Sequence, residues 1–554
     1  MSQYLQFRSW ARNSSGAEKG VLATTMVVVL GLTGWALVPA GSSGGSATLG
    51  AGAPVSAPAA AGATASAAPG ATAGTAPAAT GTTGTATATT TTGTTGTTTA
   101  TTTTGTTGAT TGTTTTGTSG APRAGSGASK PVGAASTAVA SKCGTLTASD
   151  QGVTPTEIKI AAVTLELGGA IGNSAVGVAT EAQQEQMAQA IVDDINAHGG
   201  VACRKLVVTF FKSNPIDPST AQQACLNIAS GGFFAAIDMG GFSNPPGVGD
   251  CVPQHKVPLF TTGAATPKEI QQYYPYLIAP AGDSTVIQRT AVLGMNARGW
   301  FSAAQGFKKL GILMDQCSPE VDDSTFAALA SIGIAKSQIS LAEYACPSGG
   351  FPSPSVAAAA VLQHVRDGVT NVIPVDGGGG FKEYSTAAQN QGFKPKYTTT
   401  DYTGMEITAT GGTGPDPNNF DGTVSITTSK IGMNTSGLPP DAPTQHCIDV
   451  FKRHGLTADL VYPSGADQYP AGGSLCSTFE TVAAAMSHDP GLKRAGIATG
   501  LDTLGKLQLA YLLGDAAFDR PGKVTGGDFY SVIQFSAACT CWKVIDATPH
   551  RLLT

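Results

Sequence analysis

The chain reads as an α/β protein built on doubly wound parallel sheets, and three observations carry that reading. The stretch from Gly152 to Leu206 runs strand, Gly-rich loop, amphipathic helix and next strand in one pass. Apolar strand segments then alternate with helical ones toward the C-terminus. The about 410 residues from Cys143 onward exceed what one core holds and suit two lobes.

Taken in order, Ile158 to Leu165 is apolar and β-rich, as a buried parallel strand should be, and it empties into Gly168, Gly169 and Gly172. Met187, Ala190, Ile191 and Ile195 recur at helical spacing over a polar face until Gly199 and Gly200 end the helix. Leu206 to Phe211 returns as the second strand, completing a βαβ unit. Further strands are expected at Phe234 to Met239, Pro258 to Thr261, Leu310 to Asp315, Asn371 to Asp376, Gly422 to Thr428 and Ser531 to Phe535. Helices are expected at Ser219 to Ser230, Ser284 to Trp300, Val356 to Asp367 and Phe381 to Gln391.

The N-terminal quarter is of another kind. Arg8, Arg12 and Lys19 precede an apolar run from Val21 to Val38, and Val38-Pro39-Ala40 offers small-residue cleavage. Residues 1–40 are therefore an export signal, either removed as a signal peptide or retained as a membrane anchor at the short limit for a bilayer of about 30 Å. Residues 41–142 form a Thr/Ala/Gly-rich linker, and no Asp, Glu, Lys or Arg occurs between Gly20 and Pro122. Such a composition cannot build a core and predicts a disordered tether with an rms reach of roughly 50 to 60 Å.

Export decides how the ten cysteines are read, since an even count in an oxidising compartment suggests disulfides. No CxxC pair or Cys/His cluster has zinc spacing. Pairing sequential neighbours gives Cys143–Cys203, Cys225–Cys251, Cys317–Cys346, Cys447–Cys476 and Cys539–Cys541, although sequence alone leaves connectivity open. No catalytic reading gains support. The stretch from Gly500 to Leu507 approaches a phosphate-binding loop but has Leu507 where a magnesium-holding hydroxyl is needed. Its simpler reading is a helix packing Leu501, Leu504, Leu507 and Leu509 inward. His255, His364 and His454 sit where helices should end and suit surface or capping roles. A net charge of −5 with few charged residues disfavours nucleic acid as a partner.

The segments EIKIAAVTLELG, IVDDINAHGGVACRKL and DPSTAQQAC, in that order and spacing, resemble the opening of the branched-chain amino-acid-binding proteins of ABC transporters, which have the type I periplasmic binding fold. The resemblance implies a three-segment hinge, with crossings near Pro280 to Asp283, Thr428 to Met433 and Gly522 to Asp528. Lobe one is then 143–282 plus 430–524, and lobe two is 283–429 plus 525–554. It also implies an extracytoplasmic, non-enzymatic solute-binding protein without cofactor, monomeric, that hands a small ligand to ABC permease subunits. In that family a Ser after the third strand and an Ala-x-Thr segment after the fourth hold the ligand carboxylate, and an acidic residue of lobe two pairs with its ammonium. The matching positions are Ser243 and Asn244, Ala264 and Thr266, and Asp401 followed by Tyr402, with Gly378 in the loop after NVIPVD. Ser243 and Thr266 are equally well placed to cap helices. Where the family places clamp tyrosines this chain has Ser318-Pro319 and Gly378-Gly379, which leaves room for a larger or more polar ligand. A receptor ectodomain is the alternative, disfavoured by the about 20 residues that follow the closing strand; a cell-wall structural or adhesion protein retaining the fold is another.

Overall fold

The computed structural model describes residues 143, 146–167, 173, 178–215, 217–240, 247–346, 353–376, 380–403, 415–464 and 471–553. The signal and linker expectations, and three candidate ligand residues, Ser243, Asn244 and Gly378, lie outside the described residues. Among the described residues no helix is long and apolar enough to cross a membrane.

The first body begins with β1 (Glu157–Leu165), α1 (Glu181–Ala197) and β2 (Lys205–Ser213). It continues through α2 (Pro218–Ser230), β3 (Ala235–Asp238), α3 (Val248–Gln254), β4 (Leu259–Thr261), α4 (Pro267–Tyr273) and β5 (Leu277–Ile278). These strands form an all-parallel sheet in the order β2-β1-β3-β4-β5. Successive β1 residues feed opposite cores, Ile158, Ile160 and Ala162 on one face and Ala161 and Val163 on the other. That two-sided burial is why β1 reads as a continuous apolar run. Thr180 caps α1 reciprocally with Gln183, and Gly199 and Gly200, both at positive φ, turn the chain out of the helix.

The second body runs through α5 (Ser284–Ala297), β6 (Leu310–Asp315), α6 (Pro319–Ser331), β7 (Ile339–Tyr344), α7 (Pro354–Arg366), β8 (Asn371–Val375), α8 (Phe381–Asn390), β9 (Lys396–Thr400), α9 (Pro417–Phe420) and β10 (Val424–Thr427). The chain returns to the first core with α10 (Ala442–Arg453), α11 (Ala471–His488), α12 (Ile497–Leu504) and the hairpin β11 (Gly505–Gln508) and β12 (Asp515–Phe518). It closes on the second sheet with β13 (Phe529–Ser536) and β14 (Cys541–Arg551), giving the order β14-β13-β10-β9-β8-β6-β7. Only the β10–β13 and β13–β14 pairs of that sheet are antiparallel. Phe381, Tyr384, Tyr397, Phe420, Phe535 and Trp542 fill one side of it, and Trp300, Phe307, Ile312 and Val532 the other.

Three short backbone contacts stitch the passages between the bodies. Ala279 bridges Thr525, Ala265 bridges Asp283, and Ser429 bridges Leu512. At the first of these the backbones nearly touch: a Cβ on Gly527 would stand 2.1 Å from the Ala281 carbonyl oxygen, so only glycine fits there.

The structure corrects three expectations. The leucines of 500–509 do not share a helix, because α12 ends at Leu504 and Gly505 (φ 71°) turns the chain into β11. Leu507 and Leu509 are buried from a strand and the loop after it. The residues beyond Phe535, expected only to follow the closing strand, contain the edge strand β14. His364 is neither surface nor cap. It is fully buried, its Nε2 donating to the Ser340 carbonyl at 3.1 Å and its Nδ1 accepting the Tyr384 hydroxyl at 2.6 Å, an assignment forced because a carbonyl can only accept. Burial lowers its pKa to about 4.

Every cysteine is bonded: Cys143–Cys203, Cys225–Cys251, Cys317–Cys346, Cys447–Cys476 and Cys539–Cys541. The one Cys/His cluster of metal-ligating type among the described residues, Cys225, Cys251 and His255, has its two sulfurs joined to each other and so offers no thiolate.

Candidate functional site

In a parallel α/β sheet the side chains beyond the carboxyl ends of the strands form the ligand-facing rim. On the first sheet that rim begins with Leu165. Gln184 closes it by accepting the Leu165 N–H at 2.8 Å and donating to the Leu165 and Ala179 carbonyls, and Asn173 donates to the same two carbonyls. Neither residue stands out in the sequence, since both are ordinary polar residues until the strand end is known. Asp238 ends β3 and accepts the Gly240 N–H at 3.1 Å, while its carbonyl receives the Thr262 hydroxyl. Beyond β4, the half-buried Ala264 leads into Thr266.

Thr266 is the N-cap of α4. Its hydroxyl accepts the Glu269 N–H at 3.2 Å, and its own N–H donates to the Glu269 carboxylate at 2.8 Å. Its hydroxyl also donates to that carboxylate, which burial nonetheless holds above the ordinary Glu range. The structure therefore uses Thr266 as half of a capping box.

On the second sheet the rim is acidic. Asp315 ends β6, Asp376 follows β8 and Asp401 follows β9. Because Met314 pairs with Val375, Asp315 and Asp376 are lateral neighbours, and Tyr344 pairs with Asp315 from the other side. Asp315 and Asp376 are buried; Asp315 accepts the Cys317 N–H at 3.0 Å, and Asp376 Oδ2 accepts the Tyr344 hydroxyl at 3.0 Å. Asp376 Oδ1 has no hydrogen-bond partner. Burial, reinforced by Asp315, raises the Asp376 pKa to about 7. Asp322, on the first turn of α6, is likewise raised to about 7, by burial and then by Asp315.

Asp401 differs. It accepts the Thr427 hydroxyl at 2.7 Å, the Thr428 hydroxyl at 2.6 Å and the Thr428 N–H, so its carboxylate ties the end of β9 to the passage after β10. Burial still raises its pKa. Tyr402, half-buried, hydrogen-bonds Ser318, which stands at the N-cap of α6 without capping it. The structure thus brings Asp401 and Tyr402 to one rim and Ala264 and Thr266 to the other. The acidic neighbours Asp315 and Asp376, and Tyr344 beside them, are not singled out in the sequence.

The two rims meet. Lys268 Nζ, on the first turn of α4, lies 3.0 Å from Glu320 Oε1 on the first turn of α6, and the Glu320 charge is also felt at Glu269. A separate hollow of about 460 Å³ opens beside Ile270, Tyr274, Lys523 and Val524, away from the strand-end carboxylates.

No protein-family model matches the sequence, and no curated protein does. Among solved structures, the chain is similar to a solute-binding protein of an ABC transporter from Rhodopseudomonas palustris HaA2 in complex with p-hydroxybenzoic acid, at 12% identity and TM-score 0.52, covering 72% of this chain and 98% of that one. It is also similar to a fatty acid ABC transporter substrate-binding protein from Thermomonospora curvata, at 15% identity and TM-score 0.50, over 73% and 94% of the two chains. A periplasmic binding protein type 1 from Bordetella pertussis Tohama I aligns at 14% identity and TM-score 0.50, over 71% and 99%. The fold is the type I periplasmic binding fold.

Proposed function

We propose that the chain is an extracytoplasmic solute-binding protein that closes its two lobes on a small organic ligand and delivers it to the permease of an ABC importer. The observation that carries this reading is the meeting of the two strand-end rims through Lys268 and Glu320, on bodies between which the chain passes at three bridged places. An arrangement of that kind can open and close by small φ/ψ changes at the passages. Lobe boundaries at 143–282 with 430–524, and 283–429 with 525–554, are part of the proposal. So are the ligand contacts at Ser243, Asn244, Ala264 and Thr266 on one side and Gly378, Asp401 and Tyr402 on the other. The Thr266 capping box moves its side chain toward a structural role and leaves the neighbouring Ala264 backbone as the donor on that rim. Five disulfides suit an exported chain, and a linker of about 100 residues after an apolar N-terminal run suits tethering outside the membrane.

The testing experiment exposes the exported chain to a metabolite extract of its source organism, identifies retained molecules by native mass spectrometry and measures small-angle scattering with and without them. Retention of one small molecule with contraction of the particle supports the reading. Failure to retain any molecule would contradict it.

A further inference from the structure

Two carboxylates stand side by side where the ligand of a solute-binding protein would rest. Asp315 and Asp376 are 1% and 0% exposed, adjacent across β6 and β8, and roofed by Tyr344, whose hydroxyl satisfies one oxygen of Asp376. The other oxygen, Oδ1, is buried and unpartnered. An unpaired buried carboxylate oxygen is costly unless a donor arrives from elsewhere. The strongest charges acting on Asp322, Tyr344, Asp376 and Tyr402 are all carboxylates or Tyr402 itself, with no Lys, Arg or His among them. Paired carboxylates with one unpartnered oxygen make a setting that favours a cationic donor. A metal ion is a poor fit, because among the described residues no three carboxylates lie close enough to share one.

We propose, resting on the solute-binding reading above, that the ligand carries an amine or guanidine group that docks on the Asp315–Asp376 pair, donating to Asp376 Oδ1, with Tyr344 and Tyr402 beside it. This places the positive charge away from Asp401, whose carboxylate is engaged by Thr427 and Thr428. In the ligand-free chain the pair holds a proton, since Asp376 titrates at about 7 under the influence of burial and Asp315, with Tyr344 on β7, Tyr402 after β9 and the Gly380 N–H ahead of α8 as the other groups facing it. A cation displaces that proton, so binding releases it, and affinity rises as pH climbs through about 7.

The test titrates the exported chain with matched series of α,ω-diamines, diols and dicarboxylates from butane to decane, by calorimetry in buffers of different ionisation heat, on wild type, Asp376→Asn and Asp315→Asn. The expected result is binding by diamines with proton release, weakened roughly tenfold or more by either substitution, while ligand-free melting is not lowered. Diamines that bind the variants as tightly as wild type, binding by diols or dicarboxylates alone, or no binding by any series overturns the cation assignment. Contraction with the metabolite extract then decides separately whether the solute-binding reading stands.

Discussion

Lys268 and Glu320 join the first turns of α4 and α6 at 3.0 Å, an ion pair that spans from one sheet's rim to the other's. The lysine is 70% exposed, so the pair is worth no more than about 0 to 1 kcal/mol and is weakened by salt. That modest value suits a latch that must release.

Lys268→Glu places like charges at the latch and should open the ligand-free chain, seen as a larger radius of gyration, with thermal stability unchanged. Raising the salt should move wild type the same way. A variant whose scattering matches wild type at low and high salt removes the pair from any role in closure.

Thr266→Ala removes half of a capping box and should cost about 1 kcal/mol of ligand-free stability. Ligand affinity should hold within about twofold, because the Thr266 hydroxyl is committed to Glu269. Urea denaturation and calorimetry on one preparation read both quantities, and lost affinity with normal stability would return Thr266 to the binding surface.

How far the sequence discloses this molecule depends on which residues carry each element. Strands β1 and β6 are legible because each carries a buried apolar run, Ile160 to Val163 and Leu310 to Met314. Strand β9 is hidden in KYTTT: its threonines are buried, Thr400 donating to Gln288 at 2.9 Å, and hydrophobic pattern does not register buried threonine. The edge strand β14 is buried at Cys541 and Trp542 alone and then runs through exposed and half-buried residues, so hydrophobic pattern does not mark it. The Gly505 break is invisible to leucine spacing, which continues across it. At the site, Asp315 and Asp376 each end an expected strand, yet only the β6–β8 register makes them neighbours, and Tyr344 comes from β7, whose ISLAEY carries no continuous apolar run. Pairing across a sheet is long-range information that a single sequence does not print.

Gly527→Ala should damage the hinge rather than a core. A methyl group 2.1 Å from the Ala281 carbonyl oxygen forces the two passages apart, and we expect a loss of about 2 to 4 kcal/mol together with altered scattering of the ligand-free chain. Normal stability and unchanged scattering would show that the passages do not pack this tightly.

Acidity enters stability through buried carboxyls. Asp322, Asp376 and Glu480 titrate at about 7, burial being the leading cause, against about 4 when unfolded. The folded chain therefore binds more protons between about pH 4 and 7, and stability falls as pH rises through that window. His364 acts oppositely, but only below about pH 6.5, where the unfolded chain takes up its proton. Between about pH 6.5 and 8 the urea midpoint should drop, and Asp376→Asn should flatten the decline. A midpoint that stays flat over this interval would mean that these carboxyls are already charged in the folded chain.

The account rests most heavily on closure of the two bodies around a ligand. Small-angle scattering of the exported chain before and after addition of the molecule it retains from a metabolite extract measures this directly. The account predicts a smaller radius of gyration on binding and its recovery when the molecule is removed. An unchanged radius at saturating ligand would contradict it.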